Sequence, residues 1–129
     1  MKKDYSQGVA VFIIKENKIL LTKRVKGGFT GFWEVPAGHI KNNESIEDTA
    51  IREVKEETSL VVNSIKVFGI NVNEEYKFQA NLVTTLITSG TAKNIDTYNH
   101  SALKWFSIDK LPSPLGESTL KGLKILKII

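Results

Sequence analysis

One acidic stretch decides how this chain of 129 residues folds: residues 38–60 read GHIKNNESIEDTAIREVKEETSL. Its apolar residues recur at helical spacing, which predicts an α-helix over residues 45–58. Ser45, with Asp48 three residues later, is a variant of the box that caps helix N-termini. Segments typical of strands precede and follow this helix, so the chain is expected to form a mixed α/β domain.

Three glutamates of the predicted helix form a candidate site. Glu53, Glu56 and Glu57 lie at i, i+3 and i+4, which places their carboxylates on one patch of the helix. On a helical wheel, Glu53 and Glu57 border the apolar stripe, whereas a solvated acidic face would lie opposite it. Carboxylates at the edge of a core need a counter-charge, and hard divalent cations bind oxygen ligands. Ion pairs would satisfy the same carboxylates, and spacing alone leaves both interpretations open. The basic candidates for such pairs are Lys23, Arg24 and Arg52.

The segment before the helix adds two residues to this site. Gly38 permits positive φ and a close backbone approach, so its carbonyl oxygen can point at the carboxylates. Glu44 lies eight residues before Arg52 and can accept two hydrogen bonds from that guanidinium, which would tie the loop to the helix. An ordinary surface carboxylate would look the same in the sequence. By the wheel, Arg52 and Lys55 point away from the three glutamates.

The composition excludes several classes of protein. Hydrophobic residues make up 41% of the chain and charged residues 25%, which predicts one globular domain over residues 1–129. Cysteine is absent, which excludes disulfides, thiolate metal sites and cysteine nucleophiles. A net charge of +4 is too small to indicate a dedicated nucleic-acid binder. No apolar run approaches the length of a membrane span.

The first residues, Met1-Lys2-Lys3, are similar to the start of a signal peptide, but the apolar stretch after them is too short for one. We therefore expect the protein to be cytoplasmic. Alternation and turn residues predict the remaining elements. They are strands over residues 8–14, 18–24, 32–35, 60–73, 78–89 and 102–106, and a final helix over residues 119–129. This order favours a mixed sheet with helices on both faces.

The acidic stretch resembles the signature of the Nudix hydrolases, and the chain is identified as a MutT-like member of that family. Eight of the nine specified positions match, and the exception is Ser59, where the family has glycine. The matching residues are Gly38, Glu44, Arg52-Glu53-Val54, Glu56-Glu57 and Leu60. The resemblance extends to residues 31–36 and 105–111, and so covers roughly residues 8–112. It implies an α/β/α sandwich around a mixed β-sheet, and hydrolysis of a nucleoside diphosphate linked to another group.

The resemblance also implies roles for the residues of the box. Mg²⁺, with Mn²⁺ as a substitute, would be held by Glu53, Glu56 and Glu57, with the Gly38 carbonyl as a further ligand. Arg52 would orient Glu44 and Glu56. Such ions would neutralise the bridging oxygens of a pyrophosphate and lower the pKa of a bound water. A glutamate of the cluster, or a group from a later loop, would deprotonate that water. The groups in that later loop are Asp96 and His100.

The substrate is expected to be a nucleotide, and five residues are predicted to bind it: Lys23, Arg24, Phe32, Tyr76 and Asp96. The two basic residues would meet phosphate oxygens. Phe32 and Tyr76 would stack on a base, as would Phe29, Trp33 or Phe78, although most aromatic residues at such positions belong to a core.

The same residues leave other functions open. A catalytically silent nucleotide sensor would have the same fold, but its mark would be damage to the three glutamates, and all three are intact. An RNA-end binder has only the lysines of the last predicted helix in its favour, so nucleic acid is not an expected partner. No membrane partner is expected. The leaving group of the substrate and the oligomeric state, with a homodimer as one option, are left open.

Overall fold

The computed structural model describes residues 4–129. Met1, Lys2 and Lys3, on which the comparison with a signal peptide rested, lie outside the described residues. Eight strands and two helices follow one another in the described chain. They are β1 (Ser6–Phe12), β2 (Ile14–Lys15), β3 (Lys18–Arg24), β4 (Trp33–Glu34), β5 (Ala37–His39), α1 (Ile46–Thr58), β6 (Val61–Asn73), β7 (Phe78–Ser89), β8 (His100–Ser107) and α2 (Glu117–Ile125).

The strands form two four-stranded sheets. The mixed sheet has the order β5-β1-β7-β6, in which β1 and β7 run parallel and the other pairs antiparallel. In the second sheet, β3 is the common partner: β8 pairs along its length, whereas β2 and β4 pair with its two ends. Because β1 and β3 are joined by a short hairpin segment, the two sheets stay close to each other along the chain.

The two helices cover opposite faces of the mixed sheet. Side chains alternate along β1, so one set of its residues faces α1 and the other faces α2. The cluster on the α1 side includes Val9, Val11, Ala50 and Val54. The cluster on the α2 side includes Ala10, Phe12, Leu82 and Leu123. This arrangement confirms the α/β/α fold expected from the sequence.

Two predicted elements differ from the structure, and the short strand β5, which pairs with β1, was not predicted. The strand predicted over residues 8–14 is divided, because the chain leaves the mixed sheet after Phe12 and enters the second sheet at Ile14. The helix predicted over residues 119–129 begins earlier, at Glu117, and ends at Ile125. The apolar pattern continued past its end because the residues that follow also pack against the core without being helical.

The central helix is capped at both ends. Ser45 Oγ accepts a hydrogen bond of 2.9 Å from the Asp48 N–H, as predicted. Ser59, at the position of the family's glycine, adopts the left-handed conformation with φ of 70°, and its N–H donates to the Lys55 carbonyl. The serine therefore reproduces the helix end that glycine would form, at some conformational cost. Within residues 4–129, neither helix has the length and apolarity that a membrane crossing requires.

Candidate active site

A cavity of about 530 Å³ lies where the two sheets and the two helices meet. Its lining comes from β1, β3, β4, β5 and α1, from β6 and β7 with the hairpin between them, from the segment before β8 and from the start of α2. One part of the lining is acidic and contains Glu53, Glu57 and Asp96. Another part is aromatic and amide-rich and contains Asn71, Asn73, Tyr76 and Phe78. This volume lies in the range of pockets that bind small organic ligands.

Glu53 and Glu57 face the cavity from the edge of the core. Their side chains are only 16% and 5% exposed, as their place beside the apolar stripe predicted. The Glu53 carboxyl group lies directly against Gly38, so that a Cβ at position 38 would be within 3.0 Å of all three carboxyl atoms. Gly38 does not have positive φ. The glycine is therefore needed for space and not, as the sequence suggested, for an unusual backbone conformation.

The Glu57 carboxylate is the more deeply buried of the two. Its Oε2 is buried, and none of the residues 4–129 forms a hydrogen bond with it. Burial raises the pKa of Glu57, and the neighbouring Glu53 carboxyl raises it further, against a smaller opposing effect of the Ala37 N–H. Two close carboxylates with an unpaired buried oxygen fit a hard divalent cation, which would supply the missing positive charge.

Arg52 connects the loop before α1 to the carboxylates. Its Nε and Nη2 donate to the two oxygens of Glu44, at 2.7 and 2.9 Å. Its Nη1 donates to Glu53 at 2.6 Å and to Glu56 at 3.0 Å. The expectation that Arg52 points away from the glutamates is therefore wrong, because its long side chain bends back over the helix surface. The paired guanidinium lowers the pKa of Glu44 to about 2.

Glu56 is placed differently from the other two glutamates of the helix. Its side chain is 50% exposed and bound to Arg52, and it does not line the cavity. Across the described chain, no three acidic or histidine side chains are grouped closely enough to hold a metal ion in this conformation. The structure thus brings together a pair of carboxylates where the sequence predicted three, and part of the ion-pair alternative is realised through Arg52.

The segment before β8 brings two further polar groups to the acidic end. The Ile95 N–H donates to the Glu57 carbonyl, which attaches this segment to the end of α1. His100 is buried, with Nε2 3.9 Å from Glu57 and Nδ1 3.9 Å from Asp96. Burial lowers the pKa of His100. The imidazole is therefore held neutral next to the carboxylates over more of the pH range.

Three of the five predicted substrate residues line the cavity, namely Arg24, Tyr76 and Asp96. The other two do not. Lys23 places its Nζ over the Trp33 ring, 5.8 Å from the centroid, and the Phe32 ring packs edge-on against Phe29 at 5.8 Å. The suggested stacking role of Trp33 is also not realised, because its ring is buried and contacts Phe106 at 4.8 Å.

Several cavity residues were not found by sequence reasoning. Glu34 lines the cavity and accepts a hydrogen bond of 3.1 Å from Arg24 Nε. Other missed polar residues in the lining are Ser6, His39, Asn71, Asn73, Asn99, Glu117, Ser118 and Thr119. The amides had a weak signal, because two asparagines at i and i+2 of a strand share one face. Nothing in the sequence connected them with residues 117–118, since that contact depends on where α2 packs.

Comparison with known proteins identifies the class of this fold and site. The NUDIX domain family model matches residues 4–124. The chain therefore belongs to the Nudix family, which confirms the prediction from the acidic stretch. A solved structure, a MutT NUDIX hydrolase from Burkholderia pseudomallei, superposes with a TM-score of 0.85 at 25% identity, over 95% of this chain and 98% of that one.

Curated relatives agree with the predicted enzyme class, a Nudix pyrophosphohydrolase. A Bacillus subtilis protein provisionally named an 8-oxo-dGTP diphosphatase is 32% identical over 109 residues, which are 84% of this chain and 70% of that protein. The NAD-capped RNA hydrolase NudC of Vibrio atlanticus is 32% identical over 113 residues, again 84% of this chain. The chain spans only 40% of the length of the Vibrio enzyme.

Proposed function

We propose that this protein hydrolyses the pyrophosphate linkage of a nucleoside diphosphate joined to another group, with a divalent cation as cofactor. The substrate would be a nucleoside triphosphate, a dinucleoside polyphosphate or a compound of the ADP-ribose type. The observation that carries the proposal is the pair of Glu53 and the buried Glu57, one oxygen of which has no partner among the described residues, at the end of a nucleotide-sized cavity. The names of the two curated relatives describe enzymes for substrates of this class.

The residues present fit Mg²⁺, with Mn²⁺ as a substitute. Glu53, Glu57 and the Gly38 carbonyl would hold it, and Glu56 would join them after exchanging its contact with Arg52. When bound, the cation neutralises charge on the diphosphate and lowers the pKa of a coordinated water. The all-oxygen donor set is the one that hard divalent cations prefer.

Other residues of the chain would position the substrate. Arg24 lines the cavity, and its Nε is held by Glu34, so the guanidinium is oriented before any ligand arrives. An oriented guanidinium is well suited to two hydrogen bonds with phosphate oxygens. Arg52 is a positioning residue, because it holds Glu53 and Glu56 from the side away from the cavity lining. Glu57, Asp96 and His100 lie together in the cavity lining, and one of them would receive the proton from the attacking water.

The test is a turnover screen of purified protein against a nucleotide panel, with Mg²⁺, Mn²⁺ or EDTA. We expect phosphate or pyrophosphate products only with a divalent cation present. Glu56→Gln and Glu57→Gln should each lower kcat on the order of 10²-fold while keeping the fold. Glu47→Gln, an exposed change of the same charge on the same helix, is the matched control. Full activity of the Glu57 variant would remove the metal assignment. Nucleotide binding without turnover of any member of the panel would instead support a sensor.

A further inference from the structure

The cavity floor far from the acidic pair is built by three neighbouring strands. In the mixed sheet, Phe78 of β7 lies between Ser6 of β1 and Asn73 of β6. In the next row, Ala80 lies between Gly8 and Asn71. Residues paired in register point to the same face of a sheet, so all six share the cavity face.

In the second row, Gly8 and Ala80 have small side chains or none, so they leave space above the sheet. A Cβ at Gly8 would come within 3.0 Å of the Phe78 ring, so the ring extends over the glycine. Phe78 also contacts His39, with ring centroids 5.1 Å apart. The partly buried Phe78 ring therefore lines the cavity on the same sheet face as the Asn71 and Asn73 amides, and an aromatic ring is a suitable surface for a base to stack on.

A carboxylate is clamped beside this surface. Asn71 Nδ2 donates to Glu117 Oε1 at 2.9 Å, and Asn73 Nδ2 donates to Glu117 Oε2 at 3.4 Å. Asn71 also reaches Ser118 Oγ at 3.1 Å. Each carboxylate oxygen has two lone pairs, so each keeps one acceptor site after binding its amide. Glu117 therefore offers two parallel acceptors whose orientation is set before a ligand binds.

Two parallel acceptors select bases by their hydrogen-bonding edge. Guanine has two adjacent donors, a ring N–H and an exocyclic amine, on its pairing edge. In adenine and cytosine, a ring acceptor lies beside the amine. That acceptor would be repelled by the second carboxylate oxygen. Uracil and thymine offer a single N–H between two carbonyl groups. Hydrogen bonds to a charged acceptor are also stronger than those between neutral groups.

We propose that Glu117, held by Asn71 and Asn73, makes this enzyme selective for guanine nucleotides. The inference rests on the proposed function in that a nucleotide occupies the cavity, with its phosphates toward Glu53 and Glu57. The inference concerns recognition of the base and not hydrolysis of the pyrophosphate. A bidentate contact of this kind favours the base that matches it, and we expect a preference of only about tenfold because Glu117 is exposed to solvent.

The test measures binding of GMP, IMP and AMP by calorimetry in one magnesium buffer. IMP differs from GMP only in lacking the exocyclic amine. Wild-type protein should bind GMP about tenfold more tightly than AMP, with IMP between them. Glu117→Gln should abolish the preference for GMP over AMP, because a carboxamide offers one acceptor and one donor, which complement adenine and also the carbonyl and ring N–H of guanine. Glu47→Gln should leave the order unchanged, and a thermal melt of each variant verifies folding.

A second variant separates the effect of the asparagine hydrogen bonds from the effect of the Glu117 charge. Asn71→Leu keeps the Glu117 carboxylate but releases one of its oxygens, and should reduce the GMP preference without abolishing it. Equal affinity of the wild type for the three nucleotides would overturn the inference, even if all three triphosphates are hydrolysed. Absence of both binding and hydrolysis for every nucleotide would instead overturn the proposed function, and the inference with it.

Discussion

Replacing Gly38 by alanine tests whether the Glu53 carboxyl group must lie where the structure places it. The added Cβ would fall within 3.0 Å of all three carboxyl atoms of Glu53, whereas ordinary contacts begin at 3.4 Å. Gly38 lacks positive φ, so alanine can adopt the same backbone without strain. The flexible Glu53 side chain therefore has to move, while the strand does not.

The expected size of the effect follows from that displacement. Restoring ordinary contact moves the carboxyl group by about 1 Å, and a misplacement of that size in an active site costs about 10²-fold in rate. This corresponds to about 2.7 kcal/mol of activation free energy. The free energy of unfolding should change by about 1 kcal/mol, because the end of a flexible side chain beside a cavity can rotate away more easily than a core side chain.

Two measurements on Gly38→Ala check this reasoning: kcat with saturating magnesium, and the affinity for Mn²⁺ measured directly by electron paramagnetic resonance. Both should fall. Gly28→Ala is the matched control, because its Cβ would meet only the Tyr76 hydroxyl, at 3.6 Å, and its φ is not positive. Wild-type activity and Mn²⁺ affinity in Gly38→Ala would refute the placement of Glu53 as a ligand.

Three further predictions concern stability. Glu44 has its pKa lowered to about 2, so it stabilises the fold above about pH 4.5 and that contribution is lost as the pH falls toward 2. Urea unfolding of Glu44→Gln should therefore show a weaker loss of stability in acid than the wild type. The pKa of Glu57 is raised, so without metal the folded state binds an extra proton and stability should fall as the pH rises above 4.5. Glu57→Gln, or added Mg²⁺, should remove that slope in thermal melts. Finally, Ser59→Gly should raise the free energy of unfolding by about 0.5–1 kcal/mol, since φ is 70° there; an unchanged value would show that the serine is not strained.

The helix and its caps could be read from the sequence because local interactions decide them. Apolar spacing, Ser45 and the i, i+3, i+4 glutamates all act within one or two turns. The wheel likewise placed Glu53 and Glu57 beside the core, where the structure has them. The positions of the longer strands were also recovered, except where a strand changes sheets, but the three-residue strand β5 was not predicted.

Contacts between distant segments could not be read in this way. The helical wheel did not show that Arg52 bends onto the glutamates, and its contact with Glu56 was implied only by the family resemblance. Nor did the sequence show that Glu56 lies outside the cavity. It did not bring Glu117 to Asn71, which is 46 residues away in the chain.

By itself, then, the sequence determined the family, the acidic helix and the kind of cation it suits, because a helix repeats every few residues and its spacing is visible in a single chain. Only the tertiary structure decided which carboxylates share a cavity, why Gly38 must lack a side chain, and which polar groups stand opposite the acidic pair. These depend on how sheets and helices pack, and packing joins residues that no local spacing relates.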